Sequence, residues 1–404
     1  MTRYVIVGNG VAGVMAAQAI AAAEPGADLH IYAAEPYPYY RRPQLPALIA
    51  GEVAEVDILH RPPDWYEEQG IRVHLNSRVA ELDTAARRLR LEDGVAVAYD
   101  RLLLATGGYA WMLPVDGAAQ RGVFTLRTLD DARAIREHAR QGRHAVVIGG
   151  GLLGLETARA VRALGAGVTV LEAADYLLPR QVDREGAALL QKLVEGLGIE
   201  VLTGVATEAI LGDGAVRAVR LRDGHELPAD MVVCAAGWRP ELTLARQAGL
   251  AIGRAVIVDA HLQTSAEGVY AAGDVAEAGG RLYGIVPAAV EQARVAAANM
   301  VAPGSAVYGG TLPFTTLKVA GAELTSLGLC AGEDSSYTVL RHVDLAHRHY
   351  RKFVLQDGRI IGAILLNERE RTLAVRRLLE GGVDVSAYVD RLLDDDFDLK
   401  ELLG

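Results

Sequence analysis

Short apolar runs, each closed by a glycine cluster and followed by a longer small-residue stretch, recur along the chain. Arg3-Tyr-Val-Ile-Val7 is a compact β-branched run, which predicts a strand. Gly8-Asn-Gly10-Val-Ala-Gly13 comes next, then the alanine-rich Val14 to Ala23, which predicts a helix, and Leu29-His-Ile-Tyr32 as a second strand. The order returns at His144-Ala-Val-Val-Ile148, with Gly149-Gly-Gly151-Leu152-Leu153-Gly154, a helix to about Leu164 and a strand from Val168 to Leu171. Strands alternating with helices in this way predict an α/β architecture with parallel sheets.

Strand, glycine turn and helix are the order a dinucleotide site requires. Gly8 permits the sharp turn, Gly10 lets backbone approach a pyrophosphate, and Gly13 lets the helix pack close to the strand. The helix N-terminus offers free N–H groups and a positive dipole end to phosphates, and Val11 and Ala12 of the turn are expected against the cofactor as well. In the second unit Gly149, Gly151 and Gly154 take these parts, with Leu152 and Leu153 between them also expected against the cofactor. Its second strand ends at Glu172, eighteen residues after Gly154. A carboxylate there accepts both hydroxyls of an adenosine ribose and repels a 2′-phosphate by about 1–4 kcal/mol. NADH is therefore expected over NADPH. In the first unit the matching slot falls near Ala33, and the nearest acid is Glu35, two positions later. Glu35 is expected to reach back to the ribose, the alternative being a loop cap.

Composition narrows the partners. Lys+Arg 41 against Asp+Glu 51 leaves a net charge of −10, with no basic tract, which argues against nucleic acid. Glycine, at 44 residues, stands well above the usual ~7% and falls in clusters. Tyr4 to Ala23 carries no charge and resembles a secretory signal or a membrane span. The glycine spacing accounts for it better, so the chain is read as soluble and cytoplasmic, with no membrane partner. Cys234 and Cys330 are too far apart in sequence for a disulfide framework, and each reads as a small buried hydrophobe. His342, His347 and His349 form the one histidine cluster, read as a solvated strand face rather than a metal site. Between Arg341 and Arg377 nine Lys/Arg outnumber four Asp/Glu. That stretch is either a solvated face or a docking patch for an acidic carrier.

Further motifs make the chain resemble the FAD- and NAD(P)H-dependent pyridine nucleotide oxidoreductases over nearly its whole length. Tyr99-Asp-Arg-Leu-Leu-Leu-Ala105-Thr106-Gly107 matches the passage from the FAD domain into the NAD domain, and Ala229 to Pro240, with Gly237, matches the exit. Gly268-Val-Tyr-Ala-Ala-Gly273-Asp274 matches the second FAD motif, whose aspartate binds the ribityl chain. Pro287 to Asn299 fits the helix whose N-terminus lies under the flavin. The resemblance also implies cofactor contacts at Val79, Arg42 and Pro43, with Arg42 pairing with the FAD pyrophosphate. It implies two nested Rossmann-like domains, the FAD domain discontinuous and the NAD domain inserted, plus a C-terminal α+β interface domain. The expected segments are 1–112 (FAD, first part), 113–240 (NADH), 241–308 (FAD, second part) and 309–404 (C-terminal). In that last segment Ser336–Leu340, Tyr350–Gln356 and Arg359–Leu365 are read as strands, ahead of a terminal helical region. Its acidic end, Asp394 to Asp398, is read as solvated surface, the alternative being a contact with a partner subunit.

Tyr37 to Leu45, Tyr308 to Gly321 and Tyr350 to Ile364 are similar to NADH:rubredoxin reductases and to the NADH-oxidising portion of assimilatory nitrite reductases. Ferredoxin reductases of oxygenase systems carry Ser-Lys where this chain has Pro46-Ala47, and Trp-Ser-Asp near Phe314-Thr315-Thr316. The disulfide, peroxidase and coenzyme A-disulfide branches need cysteine near the flavin, and Tyr39 to Gly51 has none, so thiol chemistry is not the expected reaction. The resemblance implies hydride transfer from NADH to FAD, with Glu156 near the nicotinamide and Lys318 near the flavin. Electrons then pass to a small acidic carrier, rubredoxin or ferredoxin-like, from a monomer or homodimer. The competing readings are an electron-input subunit for a nitrite-reductase-like or ferredoxin-linked partner, and a flavin-bound protein in which NADH only switches conformation.

Overall fold

The structure, a computed structural model, describes residues 1–319, 321–330 and 336–403. Ala320 of the Lys318 motif, Ala331 and Gly332 beside Cys330, and the final Gly404 lie outside them. The chain divides into two compact units. One comprises Met1–Arg42, Ala54–Tyr109 and Trp238–Thr311; the other comprises Pro43–Val53, Ala110–Gly237 and Leu312–Gly404. The long segments of this division meet at 109/110, 237/238 and 311/312, each within three residues of an expected boundary, while Pro43–Val53 and the segment after Thr311 cluster with the second unit.

Along the chain the first unit begins with β1 (Arg3–Val7), α1 (Val11–Ala23), β2 (Asp28–Tyr32), β3 (Ile71–His74) and β4 (Arg101–Leu104). The second supplies β5 (Val123–Thr125), β6 (His144–Ile148), α2 (Leu152–Ala163), β7 (Gly167–Glu172), α3 (Arg184–Glu195), β8 (Ile199–Thr203) and β9 (Met231–Cys234). The first resumes with β10 (Val269–Ala271) and α4 (Val286–Val301). The second closes with β11 (Phe314–Val319), β12 (Ala322–Gly328), β13 (Thr338–Asp344), β14 (His349–Gln356), β15 (Arg359–Leu366) and α5 (Arg369–Gly381).

Each unit holds a parallel five-stranded sheet, ordered β10-β4-β1-β2-β3 in the first and β8-β7-β6-β9-β5 in the second. In the first sheet Val7 pairs with both Tyr32 and Leu104; in the second Ile148 pairs with both Leu171 and Cys234. The glycine turns therefore leave the carboxyl end of a central strand, where open α/β sheets bind ligands. The uncharged stretch from Tyr4 to Ala23 is accounted for by β1 and α1, with Val5, Ile6, Ala16 and Ala17 fully buried. α1 packs on α4 through alanines, Ala12, Ala16 and Ala17 on one side and Ala289, Ala293 and Ala296 on the other, which lets the axes approach closely. No helix among the described residues is long and apolar enough to cross a membrane.

The C-terminal segment forms an antiparallel sheet ordered β11-β12-β15-β14-β13. Strand alternation gives it two faces. Phe353, Leu355, Ala363 and Leu365 pack with Val375 and Leu378 of α5, whereas Tyr350, Lys352 and Val354 lie on the other face and are also fully buried. β13 runs later than expected because its hairpin turn does: the Asp344 carboxylate accepts from the Ala346 and His347 N–H groups, and Arg348 takes φ +59°. At least five of the nine cations in the basic stretch are spent internally. Arg351 and Lys352 are buried against Glu368 and Asp183, while Arg341, Arg371 and Arg376 pair with Asp183, Glu368 and Glu380. Of the histidines, His347 is pinned by Asp344 and His349 pairs with Glu368. The acids of the C-terminal end, Asp394, Asp395, Asp396 and Asp398, are exposed as expected, while Asp395 also accepts from Arg351 and Arg371 donates to the Asp394 and Asp395 carbonyls.

Candidate functional site

The two glycine turns are built alike. Gly8 and Gly149 take φ +114° and +115°, and a Cβ on either would collide with a carbonyl of the neighbouring strand end, Ala105 or Ala235. Gly13 and Gly154 each press on the carbonyl oxygen of the turn's first glycine, so any side chain there would force helix from strand. Gly10 and Gly151 are extended N-caps that provide no side-chain cap, which leaves the first-turn N–H groups of α1 and α2 available to an anion. Around Gly151 a Cβ would meet nothing within 4 Å. A diphosphate fits both cradles on the chemistry of these donors.

The carboxylates differ. Glu172, closing β7, accepts from the Gly150 N–H and the Ala174 N–H, both at 2.8 Å, so its head is fixed over the turn. Glu35 has one oxygen on the Tyr40 hydroxyl at 2.5 Å and the other on Arg42. Its two oxygens are thus engaged by protein, and its immediate effect is to orient Arg42, which also lies over the Tyr40 ring at 4.8 Å. An Arg42 nitrogen stands 3.6 Å from where a Gly10 Cβ would be, placing a cation over the first turn. Pro43 follows, exposed, in a short 3-10 turn.

Asn9, inside the first turn, has its Oδ1 on the Tyr66 hydroxyl at 3.0 Å, while its Nδ2 is buried without a protein partner. A buried donor without an acceptor is costly, so this amide fits a cradle completed by a ligand oxygen or nitrogen. The motif spacing gives no hint of it, since position 9 is a variable one.

In the first unit Thr106 Oγ1 donates to the Glu241 carbonyl, Gly107 takes φ +68°, and buried Val79 opens a strand paired to Leu91. Gly273 (φ +83°) packs under Ala12 of α1, with Asp274 following in a short 3-10 turn. Its N–H is held by Gln292 at 2.8 Å, a side chain 1% exposed on α4, and no sequence pattern points to it. α4 starts with Pro287 in its first turn and has no side-chain cap, again leaving N–H groups for an anionic or carbonyl partner. In the second unit Gly237 (φ +119°) accepts from the Trp111 N–H.

Glu156 sits one turn into α2, half-buried, and burial lifts its carboxyl to about 7, with Arg159 pulling the other way. Arg159 is itself committed to Glu52. Lys318 is 70% exposed and pairs across the β11–β12 hairpin with Glu323 at 3.7 Å. Cys234 and Cys330 are buried free thiols, the former against the Trp111 carbonyl and Leu113 N–H, the latter against Ser326 with burial pushing its thiol up. Neither position suits thiol exchange.

Residues 2–297 match the family model described as pyridine nucleotide-disulphide oxidoreductase, and residues 313–383 match the rubredoxin NAD+ reductase C-terminal domain. The chain is 36% identical over 385 residues to a nitrite reductase [NAD(P)H] of Bacillus subtilis, covering 95% of this chain and 48% of that protein. It therefore spans about half the length of that relative. It is 35% identical to the ferredoxin reductase component of a chlorobenzene dioxygenase from Cupriavidus, over 100% of this chain and 98% of the other. The departures at Pro46-Ala47 and Phe314-Thr315-Thr316 thus do not set it apart from reductases of oxygenase systems. Among solved structures, a ferredoxin reductase from Rhodopseudomonas palustris superposes with a TM-score of 0.91 at 30% identity, over all of both chains.

Proposed function

The chain belongs to the pyridine nucleotide-disulphide oxidoreductase family, and we propose that it is a cytoplasmic, FAD-dependent NADH oxidoreductase that delivers electrons to a small iron–sulfur or rubredoxin-type carrier. One observation carries the assignment of nucleotides to cradles. The first turn is overlaid by a cation, Arg42, and the second by a carboxylate, Glu172, held by two backbone N–H groups. A cation there suits a diphosphate and asks nothing of the ribose. A carboxylate suits an unsubstituted ribose diol and repels a phosphate on it. FAD is accordingly assigned to the first unit and NADH to the second.

Held in these cradles, a flavin would supply the chemistry, hydride acceptance from NADH and single-electron release to an acceptor. The protein's contribution is position and field. Gly8, Gly10 and Gly13 with Arg42 hold one diphosphate; Gly149, Gly151 and Gly154 hold the other. Gln292 fixes the Gly273–Asp274 turn for the ribityl chain, and Pro287 opens the helix offered to the flavin ring. Glu156, whose carboxyl burial holds up to about 7, would stand near the nicotinamide, where its ionised form would favour the positive charge left on the ring as hydride departs. No cysteine takes part, so electrons leave to an external carrier rather than to a disulfide.

The length relation to the nitrite reductase supports a second reading, in which a chain of this kind supplies electrons to a separate reductase. Anaerobic assay with catalytic amounts of the flavin-loaded protein, NADH and either rubredoxin or a [2Fe–2S] ferredoxin separates these. Many turnovers of one carrier are expected. A flavin that NADH bleaches once and no carrier reoxidises would instead support the NADH-responsive binding protein.

A further inference from the structure

Glu172 is followed by an irregular segment, residues 173–183, that leads to α3. The segment is tied at both ends and in the middle. Near its start the Ala174 N–H holds Glu172, and at its centre the Leu178 N–H reaches the Gly150 carbonyl at 3.3 Å. Leu177 and Leu178 are fully buried, and Leu177 packs so near the turn that a Cβ on Gly150 would lie 2.6 Å from it. Leu178 takes φ +52°, a left-handed conformation that costs a branched-chain residue about 1 kcal/mol and persists only where the surroundings impose it.

The far end of the segment supplies that constraint, and the C-terminal sheet provides it. Ser326 of β12 donates to the Gln181 carbonyl at 2.8 Å. Asp183 caps α3 by accepting from the Gly186 N–H at 3.0 Å. Its other oxygen accepts from the Tyr350 hydroxyl at 2.6 Å and pairs with the Lys352 ammonium at 3.0 Å, both from β14, with Arg341 of β13 at 3.5 Å. Tyr350 and Lys352 are completely buried, on the sheet face opposite α5. A buried lysine is expensive to desolvate and a surface cap would serve α3 as well, so helix capping alone does not account for this arrangement.

We infer that Ser326, Tyr350 and Lys352 are positioning residues for NADH: through Gln181 and Asp183 they hold the 173–183 segment against the second glycine turn, and so fix Glu172 for the adenosine ribose. The C-terminal sheet thereby has a part in nucleotide selection. The inference rests on the assignment of NADH to the second unit.

The test uses the flavin-loaded full chain with ferricyanide as acceptor, so that no carrier protein enters. Tyr350→Phe and Ser326→Ala each remove one hydroxyl and leave the buried charge pair in place; Lys352→Met is the severe case. For the two mild variants KM for NADH should rise roughly 3- to 10-fold with kcat within about twofold. The ratio of kcat/KM for NADH over NADPH should narrow by a similar factor, because a loosened Glu172 repels the 2′-phosphate less. A lowered melting temperature with KM and the nucleotide ratio unchanged would overturn the inference and leave a purely structural network. A wild-type chain without saturable NADH oxidation would instead overturn the NADH assignment itself. If Lys352→Met fails to fold, the two mild variants decide the matter alone.

Discussion

The two glycine turns share φ angles within a degree, the same collision with a neighbouring strand end and the same uncapped helix, yet each has a different charge laid over it. In the first, Glu35 is drawn into a triangle with Tyr40 and Arg42, and the guanidinium is what faces Gly10. In the second, Glu172 itself faces the turn, because the backbone N–H groups of Gly150 and Ala174 take the place a cation would fill. On the proposed reading, backbone geometry makes a dinucleotide cradle and the side chain that overlies it selects the dinucleotide.

The comparison breaks most severely at the close approach of helix to strand. Gly13→Val should yield a chain without flavin absorbance, whereas Gly154→Val should keep the flavin and lose roughly 100-fold in reduction by NADH, since each overpacks only its own cradle. Equal loss of flavin in both would show that the units do not fold their sites independently. Next comes the overlying charge. Glu172→Gln should narrow the preference for NADH over NADPH by about 10-fold, with flavin content unchanged. Glu35→Gln should leave that preference alone and weaken flavin retention by about 10-fold, measured by dilution and ultrafiltration, because Arg42 loses its anchor.

Glu156 sharpens the picture through pH. Its carboxyl is raised from 4.5 to about 7 in the folded chain, so the unfolded chain loses the proton more readily. Below about pH 4.5 both states are protonated and the group carries no penalty. As pH climbs toward 7 the penalty grows, and above 7 it is constant. Glu156→Gln should therefore stabilise the protein by about 1–3 kcal/mol at pH 8 and by almost nothing near pH 4.5, read from denaturant melts. The same substitution should flatten any inflection near pH 7 in the rate of reduction by NADH. The smallest effect is expected at Lys318. An exposed pair is worth about 0–1 kcal/mol, so Lys318→Ala should change stability little and flavin reduction less than about threefold. A hundredfold loss would place Lys318 at the reacting atoms.

Much of this is legible in the sequence because it depends on local rules. Glycine at fixed offsets between a β-branched strand and an alanine-rich helix builds little besides a phosphate cradle, and Glu172 stands at a spacing that ribose recognition prescribes. The features that escape the sequence depend on contacts between residues far apart along the chain. Spacing alone does not show what else Glu35 meets: its oxygens also engage Tyr40 and Arg42, which only the fold of the 36–42 segment brings together. Asn9 reads as a spacer, and its unpartnered amide follows from Tyr66, 57 residues away, taking its oxygen. The basic stretch from Arg341 to Arg377 reads as a surface because charge is usually exposed, but Arg351 and Lys352 are core residues paired with Glu368 and Asp183. Alternation along β14 places Lys352 on one face with Tyr350, and nothing local says that this face is covered.

The most direct test of the account is anaerobic stopped-flow reduction of the bound flavin by NADH and by NADPH, for the wild type and for Glu172→Gln. The wild type should be reduced efficiently by NADH and poorly by NADPH. The variant should gain on NADPH through tighter binding while its limiting rate with NADH holds. An NADPH preference in the wild type, or a ratio untouched by the substitution, would contradict the claim that the charge over the second turn selects the nucleotide.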